Sequence, residues 1–364
     1  MRFLLKSRMK IVIICCFVVV SVLSCRPGGS VADDYELVIT SLDTRSESSF
    51  RAINVINDRV VWASGSSGEI LLTSDGGQTW KRGTIPGCEN EDFRSIHAWN
   101  AVNAIVFGVS NPGRGYMTKT AGEDWDIVYE MSSDGIFFNS VCFADNMRGI
   151  ALSDPIDSLS FVIRTRDGGV TWERVTGLPV LMDGEFNFAA SNSCIDYHSS
   201  GMVWIITGGS NARVFRSEDH GISWTVSETG IIHGNPASGI FSVSFLNDND
   251  GVIVGGTFDN PAENINIAAY TDDGGVTWEL SEQMPAEYRS SVVWLKDKEK
   301  DIILATGKTG CDLSLDRGRT WSHISDEGYY TARPVPGTNS GFFAGSGGRI
   351  ARFDVFKSRD IKVY

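Results

Sequence analysis

The sequence lacks the residue patterns on which most metal- and cofactor-dependent enzymes rely. It has 5 histidines among 364 residues, and none is paired with cysteines at the spacing of a zinc site. The glycine-rich stretch Gly345-Ser-Gly-Gly348 lies between two strand-like segments and not before a helix, so it is not a dinucleotide site. We therefore expect no metal and no cofactor.

Positive charge is also scarce. There are 32 Lys and Arg residues against 45 Asp and Glu residues, which gives a formal net charge of −13. Binding to nucleic acid phosphates needs a basic face. Nucleic acid is therefore not an expected partner.

The 7 cysteines do not form a metal or redox motif. Cys15 and Cys16 lie in the N-terminal apolar segment, and Cys25 follows it. The other four have no C-x-x-C spacing, and these are Cys88, Cys142, Cys194 and Cys311. Burial as small apolar side chains is the favoured interpretation, while disulfides stay open.

The only long apolar run, from Ile11 to Leu23, is short for a membrane span, which needs about 20 residues. It follows four basic residues and ends in Ser24-Cys25, which resembles the box of bacterial lipoproteins. We predict a signal peptide over 1–24, a lipidated Cys25 and a flexible tether over 25–34. The protein would then be exported and anchored by lipid alone, on the periplasmic or outer-surface side. An ordinary cleaved signal and an uncleaved anchor are the alternatives.

The rest of the chain is organised around an eight-residue repeat. The pattern Ser/Thr-x-Asp-x-Gly-x-Thr/Ser-Trp occurs five times, and a sixth copy, Thr118 to Trp125, has Thr120 in place of the aspartate. The tryptophans lie 43 to 54 residues apart, which is the length of one four-stranded propeller blade.

The repeat has the composition of a tight turn between two strands. Aspartate accepts hydrogen bonds from turn N–H groups, and the glycine adopts positive φ. Calcium binding is disfavoured because each copy supplies one carboxylate. The residues assigned to this structural role are Asp75, Gly77, Trp80, Gly122, Trp125, Asp167, Gly169, Trp172, Asp219, Gly221, Trp224, Asp273, Gly275, Trp278, Asp316, Gly318 and Trp321.

The two ends of the chain set the number of blades. Residues 330–356 contain three strand-like segments without a fourth, and Tyr35 to Leu42 can supply it. Pairing them would close the ring and remove exposed edges. We predict an all-β, seven-bladed propeller over 35–356 with a tail at 357–364. Six blades with both ends as decoration is the alternative.

These segments resemble the Asp-box, or bacterial neuraminidase repeat (BNR repeat), of sialidases, sortilin-type receptors and photosystem II assembly factor-like propellers. The last family is the most similar, because its members also open blades with an aromatic–arginine pair. Here the pairs are Phe50-Arg51, Phe93-Arg94 and Tyr288-Arg289, and Arg333 lies near the equivalent place in blade seven. First strands line the channel, so we expect the four arginines to form a basic patch at one mouth.

That resemblance implies a non-catalytic propeller of the cell envelope that binds a protein partner, with an assembly or scaffold role. The long loops Thr257 to Asn266 and Gly177 to Ala190 are expected to add binding surface. A glycan-binding surface protein would differ only in its partner.

A sialidase-like hydrolase is the catalytic alternative. Resemblance to that family would make Arg51, Arg94 and Arg289 a carboxylate-binding triad, with Tyr288, Tyr330 or Glu185 nearby. However, Phe50-Arg-Ala-Ile53 lacks the family's proline, and no aspartate stands out as the acid. Catalysis is therefore not expected.

Overall fold

The computed structural model describes residues 34–297 and 300–358. The signal peptide, Cys25, nearly all of the tether and most of the C-terminal tail lie outside these residues. Over the described ranges the regular structure is all β, with no α-helix. Accordingly, they contain no helix long and apolar enough to cross a membrane.

Within these ranges, thirty strands form seven sheets around a central channel. The first is β1 (Tyr35–Leu42). Blade one holds β2 (Phe50–Val55), β3 (Val61–Gly65), β4 (Glu69–Thr73) and β5 (Lys81–Thr84), and blade two holds β6 (Phe93–Ala98), β7 (Ala104–Gly108), β8 (Gly113–Thr118) and β9 (Asp126–Met131). Blade three holds β10 (Phe138–Phe143), β11 (Gly149–Ile156), β12 (Leu159–Thr165) and β13 (Glu173–Arg174).

Two short strands that lie before and within blade four in sequence belong to the sheet of blade five. Blade four holds β15 (Ile195–Tyr197), β16 (Val203–Ile206), β18 (Arg213–Ser217) and β19 (Thr225–Glu228). In sequence, β14 (Glu185–Phe186) precedes this blade, and β17 (Gly208–Gly209) lies between β16 and β18. Blade five holds β20 (Ser238–Phe245), β21 (Gly251–Thr257), β22 (Ala268–Thr271) and β23 (Glu279–Leu280). Strands β14 and β17 extend its sheet to six strands.

The last two blades complete the ring. Blade six holds β24 (Ser291–Lys296), β25 (Asp301–Gly307), β26 (Gly310–Ser314) and β27 (Ser322–Ser325), and blade seven holds β28 (Thr331–Pro334), β29 (Ser340–Ala344) and β30 (Ile350–Lys357). Its fourth strand is β1, which pairs antiparallel with β30 from Tyr35↔Lys357 to Leu42↔Ile350. The prediction of seven blades closed by the N-terminal strand is confirmed.

The Asp-box turns share one hydrogen-bonding pattern. In blade one the Thr73 hydroxyl accepts the Gly77 N–H at 2.9 Å, and the Asp75 carboxylate accepts the N–H and hydroxyl of Thr79 at 2.9 and 2.6 Å. In the divergent copy the Thr120 hydroxyl accepts the Asp124 N–H at 2.8 Å, so the turn persists without the carboxylate. All these turns connect third to fourth strands, and we call their side of the ring the Asp-box face.

The first strands begin on the opposite side, which we call the arginine face, and their register there differs between blades. The Phe50 N–H donates to the carbonyl of Gly345, in the blade that precedes blade one, at 2.9 Å. The Arg289 N–H donates to the carbonyl of Gly255, which is the equivalent residue in the blade that precedes blade six, at 3.0 Å. Arg289 therefore occupies the position of Phe50 and not that of Arg51. Its side chain is fully buried and pairs with the fully buried Asp312.

This ion pair replaces an apolar contact. In blade one the matching residues are Phe50 and Leu71, which pack in one buried cluster. Arg289 Nη1 also donates to the Tyr288 carbonyl at 3.0 Å and the Thr309 hydroxyl at 3.1 Å. Blade six thus keeps the shape of the other blades with a charged pair in its core.

Replacing Asp75 with Asn should lower the melting temperature in a pH-dependent way. Hydrogen bonds from the Thr79 hydroxyl and N–H, followed by the Thr73 hydroxyl, lower the pKa of Asp75 from 3.8 to about 2. The carboxylate's contribution is therefore complete above pH 4 and is lost as the pH falls towards 2. The melting temperatures of the parent and of Asp75→Asn should therefore converge as the pH falls from 4 towards 2.

The exposed loop residue Asp183 provides the control. Asp183→Asn should leave the melting temperature within the scatter of the parent at every pH. A melting-temperature difference for Asp75→Asn that stays constant down to pH 2 would contradict the role assigned to the carboxylate.

Replacing Arg289 with Ala should destabilise the ring by about 3–5 kcal/mol, because it leaves the buried Asp312 without its counter-charge. The double variant Arg289→Phe with Asp312→Leu copies the blade-one pair and should recover most of that loss. Chemical denaturation of the three proteins measures both effects. A double variant less stable than Arg289→Ala would refute the equivalence with Phe50.

Candidate functional site

A cavity of about 330 Å³ opens on the arginine face at the mouth of the channel. Two arginines and a lysine contribute cationic groups, and aromatic side chains form much of the remaining wall. We call this site the arginine cavity, and its lining includes Arg51, Arg94, Lys308, Phe188, Phe241, Phe258, Tyr288 and Tyr330.

Bulges in the first strands direct side chains into this cavity. The ladder of β2 with β3 skips Arg51, and the ladder of β6 with β7 skips Arg94. Phe241 is the skipped residue in blade five. Side chains alternate between the two faces of a strand, and a bulge interrupts this alternation, so the side chain of the bulge residue can point out of the blade. The same device therefore supplies both arginines and one aromatic wall.

Arg51 is the less neutralised of the two arginines. Its guanidinium lies over the Tyr330 ring at 4.3 Å, and no carboxylate among the described residues forms an ion pair with it. Burial, and then the charge of Arg94, lower the pKa of Arg51. The side chain is thus a cation held near another cation.

Arg94 is balanced in part by acidic neighbours. Its Nε donates to Asp92 at 2.7 Å, and its guanidinium lies 5.3 Å from the Phe137 ring centre. Burial raises the pKa of Asp154 to about 6, although Asn139 and Arg94 favour its charged form. Arg94 keeps about a third of its side chain exposed, so one side remains open to a ligand.

The two long loops both contribute to the arginine face. Phe258, in the blade-five loop, is 44% exposed beside the cavity, and its carbonyl accepts a bond from Lys308 Nζ at 2.6 Å. The loop before blade four leads into Phe188, whose ring stacks on Phe241 at 3.8 Å. The loops thus supply apolar side chains to the wall of the arginine cavity.

Residues 187–194, which we call the plug, cross the channel below the arginine cavity. Asn192 bonds the Ile96 carbonyl and the Val141 N–H, both at 2.9 Å. The Ser193 hydroxyl donates to that of Ser242 at 2.8 Å, and the Ser191 hydroxyl donates to the Ser290 carbonyl at 2.6 Å. The plug is therefore tied to blades two, three, five and six, and the arginine cavity is closed at its base.

Arg333 holds the plug from its other side. Its guanidinium donates to the carbonyls of Ser191 at 3.2 Å and Asn192 at 2.6 Å. The Thr331 hydroxyl also donates to Ser191 at 3.0 Å. Arg333 thus lies deeper in the channel than Arg51 and Arg94.

The structure brings together two of the four arginines predicted to form the patch. Arg51 and Arg94 share the cavity, while Arg289 is buried in blade six and Arg333 binds the plug. Sequence alignment on aromatic–arginine pairs cannot detect the one-residue offset at Arg289. Lys308 and the plug carry no repeated signal and were missed, although the long stretch before blade four marks the plug's location.

The sialidase geometry is not supported. The proposed triad is not formed, because Arg289 pairs with Asp312 inside the blade. Glu185 is buried in an ion pair with Arg213, at 2.5 Å from its Nη2. Tyr288 lies in the cavity wall, but neither a third arginine nor Glu185 is free to work with it.

Comparison with known proteins agrees with this architecture. The family described as BNR/Asp-box repeat matches residues 269–280, the copy in blade five. The chloroplastic photosystem II stability/assembly factor HCF136 of Guillardia theta is 26% identical over 223 residues, covering 52% of this chain and 50% of that protein. The match therefore spans about half the length of this relative.

Solved structures extend the likeness in fold to most of the chain. A structure described as YCF48 bound to D1 peptide has a TM-score of 0.60 at 14% identity, covering 88% of this chain and 97% of its own. YCF48 from Cyanidioschyzon merolae gives 0.61 at 16% identity, covering 87% and 98%. The GH74 enzyme of Niastella koreensis gives 0.58 at 13% identity, covering 87% and 44%. This chain is a seven-bladed β-propeller that contains a BNR/Asp-box repeat, and about half of it is similar in sequence to a photosystem II stability/assembly factor.

Proposed function

We propose that the protein is an exported, lipid-anchored and non-catalytic propeller that holds an acidic segment of a protein partner in the arginine cavity. The observation that carries this proposal is that Arg51 and Arg94 line the same cavity, which has aromatic walls. Its role in the cell envelope would be assembly or scaffolding.

The charges favour an anionic ligand. Arg51 and Arg94 raise each other's electrostatic energy, and a carboxylate between them would relieve that repulsion. Guanidinium groups bind carboxylates through two parallel hydrogen bonds. Lys308 adds a third cation at the rim.

The aromatic wall favours a polypeptide over a free anion. Phe188, Phe241 and Tyr288 pack against one another and give the cavity an apolar base beside its charges. A short acidic segment presents carboxylates together with apolar atoms, which suits such a mixed lining. The plug closes the base, so the segment would enter and leave through the same mouth.

The similar proteins support the choice of a protein partner. One of the structures that share this fold is described as bound to a D1 peptide, and the sequence relative is named an assembly factor. For this chain we propose only the general property, namely that it recognises a polypeptide segment during assembly.

Replacing Arg51 or Arg94 with Ala should weaken binding of an acidic peptide about tenfold or more. Hydrogen bonds to charged groups contribute about 1.5–3 kcal/mol, and 1.4 kcal/mol corresponds to a factor of ten. Fluorescence anisotropy with a labelled peptide rich in Asp and Glu measures the affinity. A peptide with Asn and Gln at the same positions should bind poorly to the parent.

Arg45 offers a matched control, because its side chain is 85% exposed and does not line the arginine cavity. Arg45→Ala should bind the acidic peptide as the parent does. Equal affinities for the parent, Arg51→Ala and Arg94→Ala would reject the cavity as the binding site.

The lipid anchor has a separate test. Cys25→Ala should move the protein from the membrane fraction to the soluble fraction of the envelope, because a lipidated cysteine would be its only attachment. Labelling with a fatty-acid analogue should be lost at the same time. A variant that keeps both properties would exclude Cys25 as the anchor and leave the peptide-binding proposal unaffected.

A further inference from the structure

A second cavity, of about 390 Å³, lies at the opposite end of the channel, beyond the plug. Asn192 and Ser193 of the plug form part of its wall. Most blades contribute a residue from one register position of the first strand, and these include Asn54, His97, Cys142, Asp196, Ser244 and Arg333. We call this site the polar cavity.

Its two ionic groups are already held by the protein. The Asp196 carboxylate accepts the backbone N–H groups of Tyr197 at 2.9 Å and Phe245 at 2.7 Å. Arg333 donates to the plug carbonyls and to the Ala332 carbonyl at 2.8 Å. The two opposite charges influence each other, so the cavity presents no strong net charge. In this respect it differs from the arginine cavity.

Two further side chains in the cavity lack hydrogen-bond partners among the described residues. The Asn54 amide and both ring nitrogens of His97 form no hydrogen bond with any described residue, although His97 stacks on Phe143 at 4.5 Å. Burial lowers the pKa of His97 to about 3, so its imidazole is neutral near pH 7 and offers one donor and one acceptor. The cavity therefore contains uncommitted donors and acceptors without added charge.

An indole ring completes the wall. Trp294 is partly exposed there, and its N–H donates to the Ser244 carbonyl at 3.0 Å, which fixes the ring. Neutral hydrogen-bonding groups beside an aromatic surface suit a ligand with several hydroxyl groups and an apolar face. The volume lies within the usual range of small-molecule sites, about 300–1,000 Å³.

We propose that the polar cavity binds an uncharged sugar residue. Sugar hydroxyls both donate and accept hydrogen bonds and would pair with Asn54, His97 and Asp196, while the C–H face packs on Trp294. The site lies on the opposite side of the plug from the arginine cavity and does not depend on peptide binding there.

Saturation-transfer difference NMR tests this proposal, with glucose, galactose and N-acetylglucosamine as separate probes. At least one sugar should give signals with the parent, and Trp294→Ala and Asn54→Ala should each reduce them severalfold. Asp183→Asn, in a loop of the other face, should leave them unchanged. Asn54 has no partner to lose, so its variant should melt with the parent and separate binding from folding.

Three results would overturn the proposal. The first is the absence of signals from all three sugars. The second is undiminished sugar binding by both the Trp294→Ala and Asn54→Ala variants. The third is binding of acetate or tetramethylammonium, at a site sensitive to these substitutions, in place of the sugars.

Discussion

The ring depends on eight residue pairs that join β1 to β30, two strands from opposite ends of the chain. Without them blade seven would have three strands, and β30 would be an unpaired edge strand. Around the channel, the first strands of neighbouring blades pack against one another, and blade seven contacts blades six and one in this way. Both cavities are spaces between first strands, so their shape follows from closure of the ring.

Small departures from the repeat convert this scaffold into a site. A bulge in the first strand turns Arg51 and Arg94 out of the alternating pattern, while a one-residue offset in blade six places Arg289 at the core position that Phe50 occupies in blade one. The irregular entry to blade four supplies the plug. The regular elements thus give stability, and the irregular ones give the cavities their chemistry.

Sequence reasoning was sufficient for the elements that repeat. Asp-box turns and strands such as Phe138–Phe143 recur with the same local physics, so their type, order and number follow from the pattern. The fate of Arg289 does not follow, because a shift of one residue exchanges a cavity-facing position for a core position. Nor could Lys308 and Ser191 be paired with their partners, since those contacts join segments with no shared motif.

The ladder that closes the ring also sets the orientation of the molecule. Tyr35 pairs with Lys357 at the Asp-box end of β30, and Leu42 pairs with Ile350 at its arginine-face end. Strand β1 therefore begins on the side of the ring opposite Arg51 and Arg94. A contact made by the face on which β1 begins therefore leaves the arginine cavity open to solvent.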